Sequence, residues 1–422
     1  MNRPDRWRCI WRSALTIMAV LGIMFCLGCG PKEPTQTGLI PLPEKEMERL
    51  AGSLKSSGQG LDFWEDLSAS IQRSLATLAA RESQQVILDT PGLQLTVADL
   101  QASLEHMLDV LPQMNTDPGL LPQEFAGYEL RPGPLFTGYY EPRLRASLNR
   151  EPGYSYPLYA RPNDLKSADL GRFHPRWKGQ RLIYRLEKGE VVPYHTRAEI
   201  DGQNALSDKA EIVAWVQDPV EAFFLHIQGS GQLQLAGGKT MYVGYAGKNG
   251  HEYVSLGRVL VDRGHLDYEG LSMQSIQAFL DQNPELVPDI LFTNPSYVFF
   301  ELRTDGPYGA MGRKLTPMVS LATDPSVIPL GAILAMEVDL PGGESKDTLI
   351  GLGMAQDVGG AITGHHVDLY CGSGQSAGRL AGRLKSRGRL YLLVSKSVLG
   401  QKTDDRGQKT EGRKRIEREK SI

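Results

Sequence analysis

The chain has 422 residues, which is enough for one large domain or two moderate ones, each with its own core. Its net charge of -3 excludes the strongly basic composition of nucleic-acid-binding proteins, so no nucleic-acid partner is expected. The 46 Gly and 26 Pro residues favour many turns and short strands over a helix bundle.

The N-terminus has the pattern of a targeting signal. Basic residues from Arg3 to Arg12 precede an uncharged apolar run, Ser13 to Leu27, that is too short for a confident membrane span. The run ends at Gly28 and Cys29, which resembles a bacterial lipoprotein cleavage site. We therefore expect residues 1–28 to be a signal peptide and Cys29 to carry lipid. A plain signal peptide and an uncleaved anchor are the alternatives.

Hydrophobic periodicity predicts two helices after this signal, at residues 63–81 and 95–111. After Pro112, short apolar segments alternate with Gly and Pro, which is typical of strands and turns. Further predicted helices are 220–226, 256–261, 273–280 and 376–387, and the predicted strands are 135–140, 333–340 and 390–394.

Three aspartates in the C-terminal third are candidates for chemistry. Asp357 and Asp368 flank a Gly-rich segment, so a strand, a turn and a returning strand would bring them to one rim. Two carboxyl groups on one rim suit acid/base cleavage of a glycosidic bond.

The residues alone leave a structural alternative open, because Asp beside Gly commonly caps a turn. Asp324, which precedes Pro325, is the best candidate for such a structural role. Asp368 lies between Val367 and Leu369, as in a strand, where burial would raise its pKa toward that of a general acid.

Further motifs extend this pattern over most of the chain. They run in order through Phe136-Thr137-Gly138-Tyr139-Tyr140, Arg197-Ala198-Glu199-Ile200, Ala205-Leu206-Ser207-Asp208-Lys209, Gln228-Gly229-Ser230-Gly231, Tyr245 to His251, Asn294 to Phe300 and Ala355 to Gly374. Together they resemble the membrane-bound lytic murein transglycosylase A family, whose three-aspartate domain the last segment matches.

This resemblance implies a mainly β fold with peripheral helices (α+β). It consists of a double-psi β-barrel domain with a second β domain inserted into it, and a groove between them. The implied organisation is a signal peptide at 1–28, a tether at 29–44, N-terminal helices and the first part of the barrel domain at 45–142, an inserted β domain at 143–293, the rest of the barrel domain at 294–396 and a disordered charged tail at 397–422.

The resemblance also implies a reaction. The family cleaves the bond between N-acetylmuramic acid and N-acetylglucosamine in peptidoglycan without water and leaves 1,6-anhydro ends. Asp368 matches the aspartate that acts first as acid and then as base, with Asp357 as its helper and Asp324 as a brace. An inverting hydrolase, in which Asp357 activates water, and a non-catalytic peptidoglycan-binding lipoprotein are the alternatives.

The remaining candidates concern binding. The predicted glycan-binding residues are Thr137, Gly138, Tyr139, Tyr140, Gln228, Ser230, Lys248 and Asn249. Tight turns, core packing and solvent contacts are the alternatives for these positions. We expect no cofactor and no metal, because His365 and His366 have no spaced set of further ligands around them. The implied protein is a monomer, anchored in the bacterial envelope at the periplasmic face of the outer membrane, with a cell-wall complex as a possible partner.

Overall fold

A computed structural model describes residues 37–341 and 347–400. The predicted signal peptide, the lipid-bearing Cys29 and residues 401–422 of the predicted tail lie outside the described residues. Within the described ranges, no helix is long and apolar enough to cross a membrane.

Strands dominate the described part of the chain. In chain order they are β1 Gly38–Pro41, β2 Val86–Thr90, β3 Leu93–Thr96, β4 Phe125–Arg131, β5 Leu135–Glu141, β6 Arg143–Ser147, β7 Tyr156–Tyr159, β8 Lys166–Asp169, β9 Arg181–Glu187, β10 Glu190–Pro193, β11 Ile212–Val216, β12 Gly231–Gln234, β13 Thr240–Lys248, β14 Val298–Arg303, β15 Ser320–Ala322, β16 Ile333–Leu340, β17 Asp347–Asp357, β18 His366–Ser373, β19 Lys385–Arg387 and β20 Arg389–Ser395.

The α-helices are fewer in the described ranges and lie mostly before and within the inserted region. They are α1 Glu44–Ser53, α2 Ser68–Leu78, α3 Val97–Met114, α4 Leu120–Glu124, α5 Pro219–Gln228, α6 Leu256–Asp262, α7 Met273–Gln282, α8 Val287–Phe292 and α9 Gly374–Ala381. This mixture of strands and helices confirms the predicted mainly β, α+β class.

The largest sheet has nine strands in the order β1-β4-β20-β16-β17-β15-β18-β5-β19. Only Gly388 separates β19 from β20 in the chain, although these strands lie far apart in the sheet. The sheet must therefore curl back on itself, which agrees with the double-psi β-barrel that the resemblance implies. Its inner face and the N-terminal helices share one large hydrophobic core.

A second sheet interrupts the first. The chain leaves the nine-stranded sheet at the end of β5 and builds six strands in the order β14-β13-β12-β6-β11-β7 before it returns at β15. A three-stranded sheet, β10-β9-β8, lies within the same stretch of sequence. Because β14 pairs with β13, the inserted sheet extends beyond the predicted boundary at residue 293.

The helical predictions hold where periodicity was strong. Trp64, Leu67, Ile71 and Leu78 are buried on one face of a short 3₁₀ turn followed by α2. Helix α5 begins as expected: the side chain of Asp218 accepts a hydrogen bond from the backbone N–H of Val220, and Pro219 occupies the first turn.

Three predictions were wrong. Gly38–Pro41 is not tether but strand β1, which pairs with β4 and buries Leu39. The helix predicted over 376–387 ends at Ala381, because Lys385–Arg387 pair instead with β5 as strand β19. The predicted tail begins too early, since Val398 is buried in the core.

Candidate acid/base site

Strand pairing places Asp357 and Asp368 on the same rim of the nine-stranded sheet. Asp357 ends β17 and Asp368 lies in β18, and both residues pair with Ala322 of the short strand β15 between them. The two aspartates therefore share a rim, as predicted. They do not belong to a directly paired hairpin, because β15 intervenes.

Asp368 is partly buried, and few hydrogen bonds replace the water that its carboxyl group loses. The hydroxyl of Thr137, the register partner of Asp368 on β5, donates to its Oδ1 at 2.7 Å. Burial, opposed by the Thr137 hydrogen bond and reinforced by the nearby charge of Asp357, raises the pKa of Asp368 to about 7. Asp368 can thus hold a proton near neutral pH.

The carboxylate of Asp357 accepts more hydrogen bonds than that of Asp368. Its Oδ1 accepts from the backbone N–H groups of Ala310 and Val358, both at 2.9 Å, and its Oδ2 accepts from the Tyr139 hydroxyl at 2.9 Å. Burial raises the pKa of Asp357, and these three hydrogen bonds oppose the rise. The arrangement favours a fixed negative charge over a proton carrier.

Asp324 has the contacts of a brace. Its Oδ1 accepts from the N–H and the hydroxyl of Ser326, and its Oδ2 accepts from the N–H of Gly364. Burial acts to raise the pKa of Asp324, but the hydrogen bonds outweigh it and lower the pKa. Asp324 thereby ties the Gly-rich segment before β18 to the turn after β15.

Strand β5 supplies a row of polar groups beside the aspartates. Because side chains alternate along a strand, Thr137, Tyr139 and Glu141 share one face. The Tyr139 ring lies 5.3 Å from that of Tyr370, and burial raises the pKa of its phenol well above the usual value, so Tyr139 remains a donor to Asp357. The row connects the site to the inserted sheet through Glu141.

Glu141 was missed at the level of sequence, although its spacing from Thr137 and Tyr139 could have revealed it. It is buried, and its Oε2 accepts from Gln232 and Ser373, both at 2.7 Å. Burial raises the pKa of Glu141. It joins β5 and β18 to the segment that follows Gln228.

Two predicted binding residues have clear packing roles. A Cβ at Gly138 would lie 2.8 Å from the Cα of Ala381, so a glycine is needed where α9 packs on β5. The Tyr140 ring packs against Gly378 of the same helix, and its backbone N–H donates to Gln228 Oε1 at 3.0 Å.

The other predicted binding residues differ in what they can offer. Ser230 is half-buried and Lys248 is exposed at the end of β13. Asn249, in contrast, donates to the carbonyls of His195 and Pro295 and accepts from the N–H groups of His251 and Tyr297. An amide has two donor hydrogens and two acceptor lone pairs, so Asn249 has none left for a ligand and we omit it from the proposed glycan-binding set.

His366 also belongs to the site. Its Nε2 lies 2.9 Å from Thr137 Oγ1, the same atom that contacts Asp368. The sequence offered a signal, since His366 is two residues from Asp368 and therefore on the same face of β18. Within residues 37–341 and 347–400, no cluster of three His, Cys, Asp or Glu side chains is arranged to hold a metal ion.

The fold and this site define a mainly β protein with a protonatable carboxyl beside a second, fixed carboxylate. Residues 135–301 match the MltA-specific insert domain and residues 319–394 match the 3D domain. The membrane-bound lytic murein transglycosylase A of Vibrio cholerae is 31% identical over 310 residues, which cover 71% of this chain and 77% of that protein. The chain belongs to the membrane-bound lytic murein transglycosylase A family.

The Escherichia coli K12 protein of the same name is 36% identical over 264 residues, which cover 61% of this chain and 65% of that protein. Solved structures agree. A membrane-bound lytic murein transglycosylase from Agrobacterium tumefaciens has a TM-score of 0.73 at 25% identity and covers 86% of this chain and 99% of its own. Escherichia coli MltA with bound chitohexaose has a TM-score of 0.57 at 27% identity and covers 87% of this chain and 98% of its own.

Proposed function

We propose that this protein is a lytic transglycosylase that cleaves the β-1,4 bond between N-acetylmuramic acid and N-acetylglucosamine in peptidoglycan. The observation that carries the proposal is the state of Asp368. A carboxyl with a pKa of about 7 is half protonated near neutral pH, so it can give a proton and then take one back. Family membership supports the choice of bond.

The reaction needs one acid that becomes a base. Asp368 gives its proton to the glycosidic oxygen while the bond from that oxygen to the anomeric carbon of the muramyl residue breaks. The 6-hydroxyl of the same muramyl residue then bonds to the anomeric carbon, and Asp368 takes the hydroxyl proton. The product is a 1,6-anhydro end, no water is consumed, and Asp368 is protonated again.

Asp357 acts as a fixed charge in this scheme. Its negative charge raises the pKa of Asp368 and stabilises the positive charge that develops on the sugar ring. An inverting hydrolase is the second candidate, favoured by the separation of the two aspartates. Two interstrand spacings of about 4.8 Å place their Cα atoms roughly 10 Å apart, which leaves room for a water. The three donors on Asp357 argue against a free base at that position.

Glycan binding would use the polar row of β5 and the segments that adjoin it. A solved relative carries chitohexaose, an oligosaccharide, which supports a glycan strand as the ligand of this family. In this chain the groups proposed to contact sugar are Thr137, Tyr139 and Gln228, with Ser230 and Lys248 further along the inserted sheet. Gly138 and Tyr140 would shape the site through their packing against α9.

The proposed location is the bacterial envelope, with lipid on Cys29 as the anchor at the periplasmic face of the outer membrane. Relatives described as membrane-bound support association with the envelope. A Cys29→Ser variant should leave the membrane fraction, and intact-mass analysis of the wild type should show acyl chains on the first mature residue. An unmodified Cys29 would contradict the anchor.

Product analysis tests the function directly. Purified murein should yield fragments with 1,6-anhydro ends, which are lighter by one water than hydrolysis products. Asp368→Asn should lower the rate by about 10³-fold, the scale of a lost general acid, and Asp324→Asn serves as its matched control. Reducing ends would favour the hydrolase, and full activity of Asp368→Asn would overturn the assignment.

A further inference from the structure

A short chain of polar contacts leads away from Asp368 on the side of β5. Thr137 Oγ1 lies 2.7 Å from Asp368 Oδ1 and 2.9 Å from His366 Nε2. The other ring nitrogen of His366, Nδ1, lies 3.2 Å from the carbonyl oxygen of Ala361. The contacts thus run from the carboxyl through one hydroxyl to an imidazole and end on a backbone carbonyl.

The Ala361 end restricts where the protons lie. A carbonyl oxygen only accepts hydrogen bonds, so His366 must carry a proton on Nδ1. In a neutral imidazole Nε2 is then an acceptor, and the Thr137 hydroxyl must donate to it. Thr137 has one hydrogen, so in this arrangement its oxygen accepts from Asp368, and the arrangement belongs to the protonated form of the carboxyl.

An ionised Asp368 reverses its contact with Thr137. The hydroxyl then donates to the carboxylate, as it does in the site described above, and no longer donates to His366 Nε2. The two arrangements differ in the proton on Asp368 and in the direction in which the Thr137 hydroxyl points.

We propose that the Thr137 hydroxyl turns between His366 and Asp368, so that His366 acts as a positioning residue that stabilises the acid form of Asp368 before catalysis. This inference rests on the proposed acid/base role of Asp368. Once the acid proton moves to the glycosidic oxygen, the Thr137 hydroxyl turns from His366 to the new carboxylate and stabilises it. Such a donor acts only after the transfer, when charge has developed.

Other ionisable groups near Asp368 are Asp357, Tyr139 and Cys371. Lys385 of β19 is the register partner of Thr137, and its side chain is exposed. All four remain when His366 is replaced. A change in the pH profile of a His366 variant therefore reports the Thr137 contact and not a new charge around the aspartate.

The test is the pH dependence of kcat/KM for release of anhydro fragments by the full chain. In His366→Phe the protonated form of Asp368 loses the acceptor that orients Thr137, while the carboxylate keeps its donor. The alkaline limb of the profile should move down by about 0.5 to 1 pH unit, the equivalent of one hydrogen bond. At pH 8 this lowers the rate by roughly fivefold, with little change at pH 5.

His365→Phe is the matched control, because no described side-chain contact links His365 to the site. In a protein that already carries Thr137→Val, His366→Phe should cause no further change in the pH profile, because the imidazole acts through the Thr137 hydroxyl. His366→Gln keeps a neutral acceptor for the Thr137 hydroxyl, so its pH profile should stay close to that of the wild type, and a displacement as large as in His366→Phe would contradict the proposal. ¹⁵N spectra of the wild type should show the neutral His366 ring protonated at Nδ1.

Equal loss of rate at every pH in His366→Phe, or an unchanged profile in that variant, would overturn the proposal. So would additive effects of Thr137→Val and His366→Phe, or a ring protonated at Nε2. Failure of the broader function is distinguishable, because the wild type itself would then form no anhydro product.

Discussion

Two neighbouring parts of the rim each hold an aspartate, but they surround it differently. Around β5 and β18, Asp368 is partly buried with a single described side-chain donor, the Thr137 hydroxyl. At the end of β17, Asp357 receives three donors, two of them backbone N–H groups. Because hydrogen bonds to a carboxylate lower its pKa and burial raises it, the number of donors decides which aspartate carries the proton.

The largest effect that can break this comparison comes from Asp357→Asn. The change keeps the size of the side chain but removes the fixed charge that raises the pKa of Asp368. We expect a fall in kcat of up to about 100-fold, within the range of electrostatic stabilisation. The alkaline limb of the pH profile should also move to lower pH. A rate loss without this displacement would mean that Asp357 acts as a base and not as a charge.

A second effect concerns stability. The pKa of Asp368 is raised on folding, so the native state binds more protons than the unfolded chain between about pH 4 and pH 7. Stability is therefore lost as the pH rises through this window. Asp368→Asn removes the titration and should be more stable than the wild type above pH 7, on the order of 2 kcal/mol.

Urea unfolding at pH 4 and pH 8 measures this difference, which should be close to zero at the lower pH. The same substitution at Asp324, whose folded pKa is lowered, should destabilise at pH 8. A change in stability in the same direction in both variants, Asp368→Asn and Asp324→Asn, would contradict the account.

A smaller effect compares the tightly packed strand β5 with the open segment that follows Asp357. A Cβ at Gly138, beside Asp368, would lie 2.8 Å from the Ala381 Cα and 3.0 Å from Cys371 Sγ. Gly138→Ala should therefore destabilise the protein by about 1–3 kcal/mol. Gly360, in the segment after Asp357, has nothing within 4 Å of such a Cβ, and Gly360→Ala is the control. If Gly138→Ala and Gly360→Ala had the same midpoint of thermal unfolding, the proposed difference in packing would be refuted.

Local patterns predicted the parts of this molecule that depend on local physics. The apolar faces of α2 and α3, the cap of α5 and the strand around Asp368 follow from the spacing of residues. The insertion of β15 between β17 and β18 does not, because it is a pairing between distant segments. The same holds for β1 and β19, where pairing with β4 and β5 overrides a Pro-rich or helix-favouring sequence.

The candidate site divides in the same way. Asp368 and its raised pKa could be expected from its apolar neighbours in the chain. The roles of Asn249 and Gly138 could not, since the amide of Asn249 is occupied by backbone groups and Gly138 is required by a helix far along the sequence. His366 and Glu141 were within reach, because strand alternation alone places them on the faces of Asp368 and Thr137.

Titration of the two carboxyl groups tests the central claim most directly. With ¹³C-labelled aspartate in the full chain, the side-chain signals of Asp368 and Asp357 are followed from pH 3 to pH 9, and the Asn variants assign them. The account predicts that Asp368 titrates near pH 7 and that Asp357 ionises first. A midpoint for Asp368 below pH 5, or a reversed order, would contradict it.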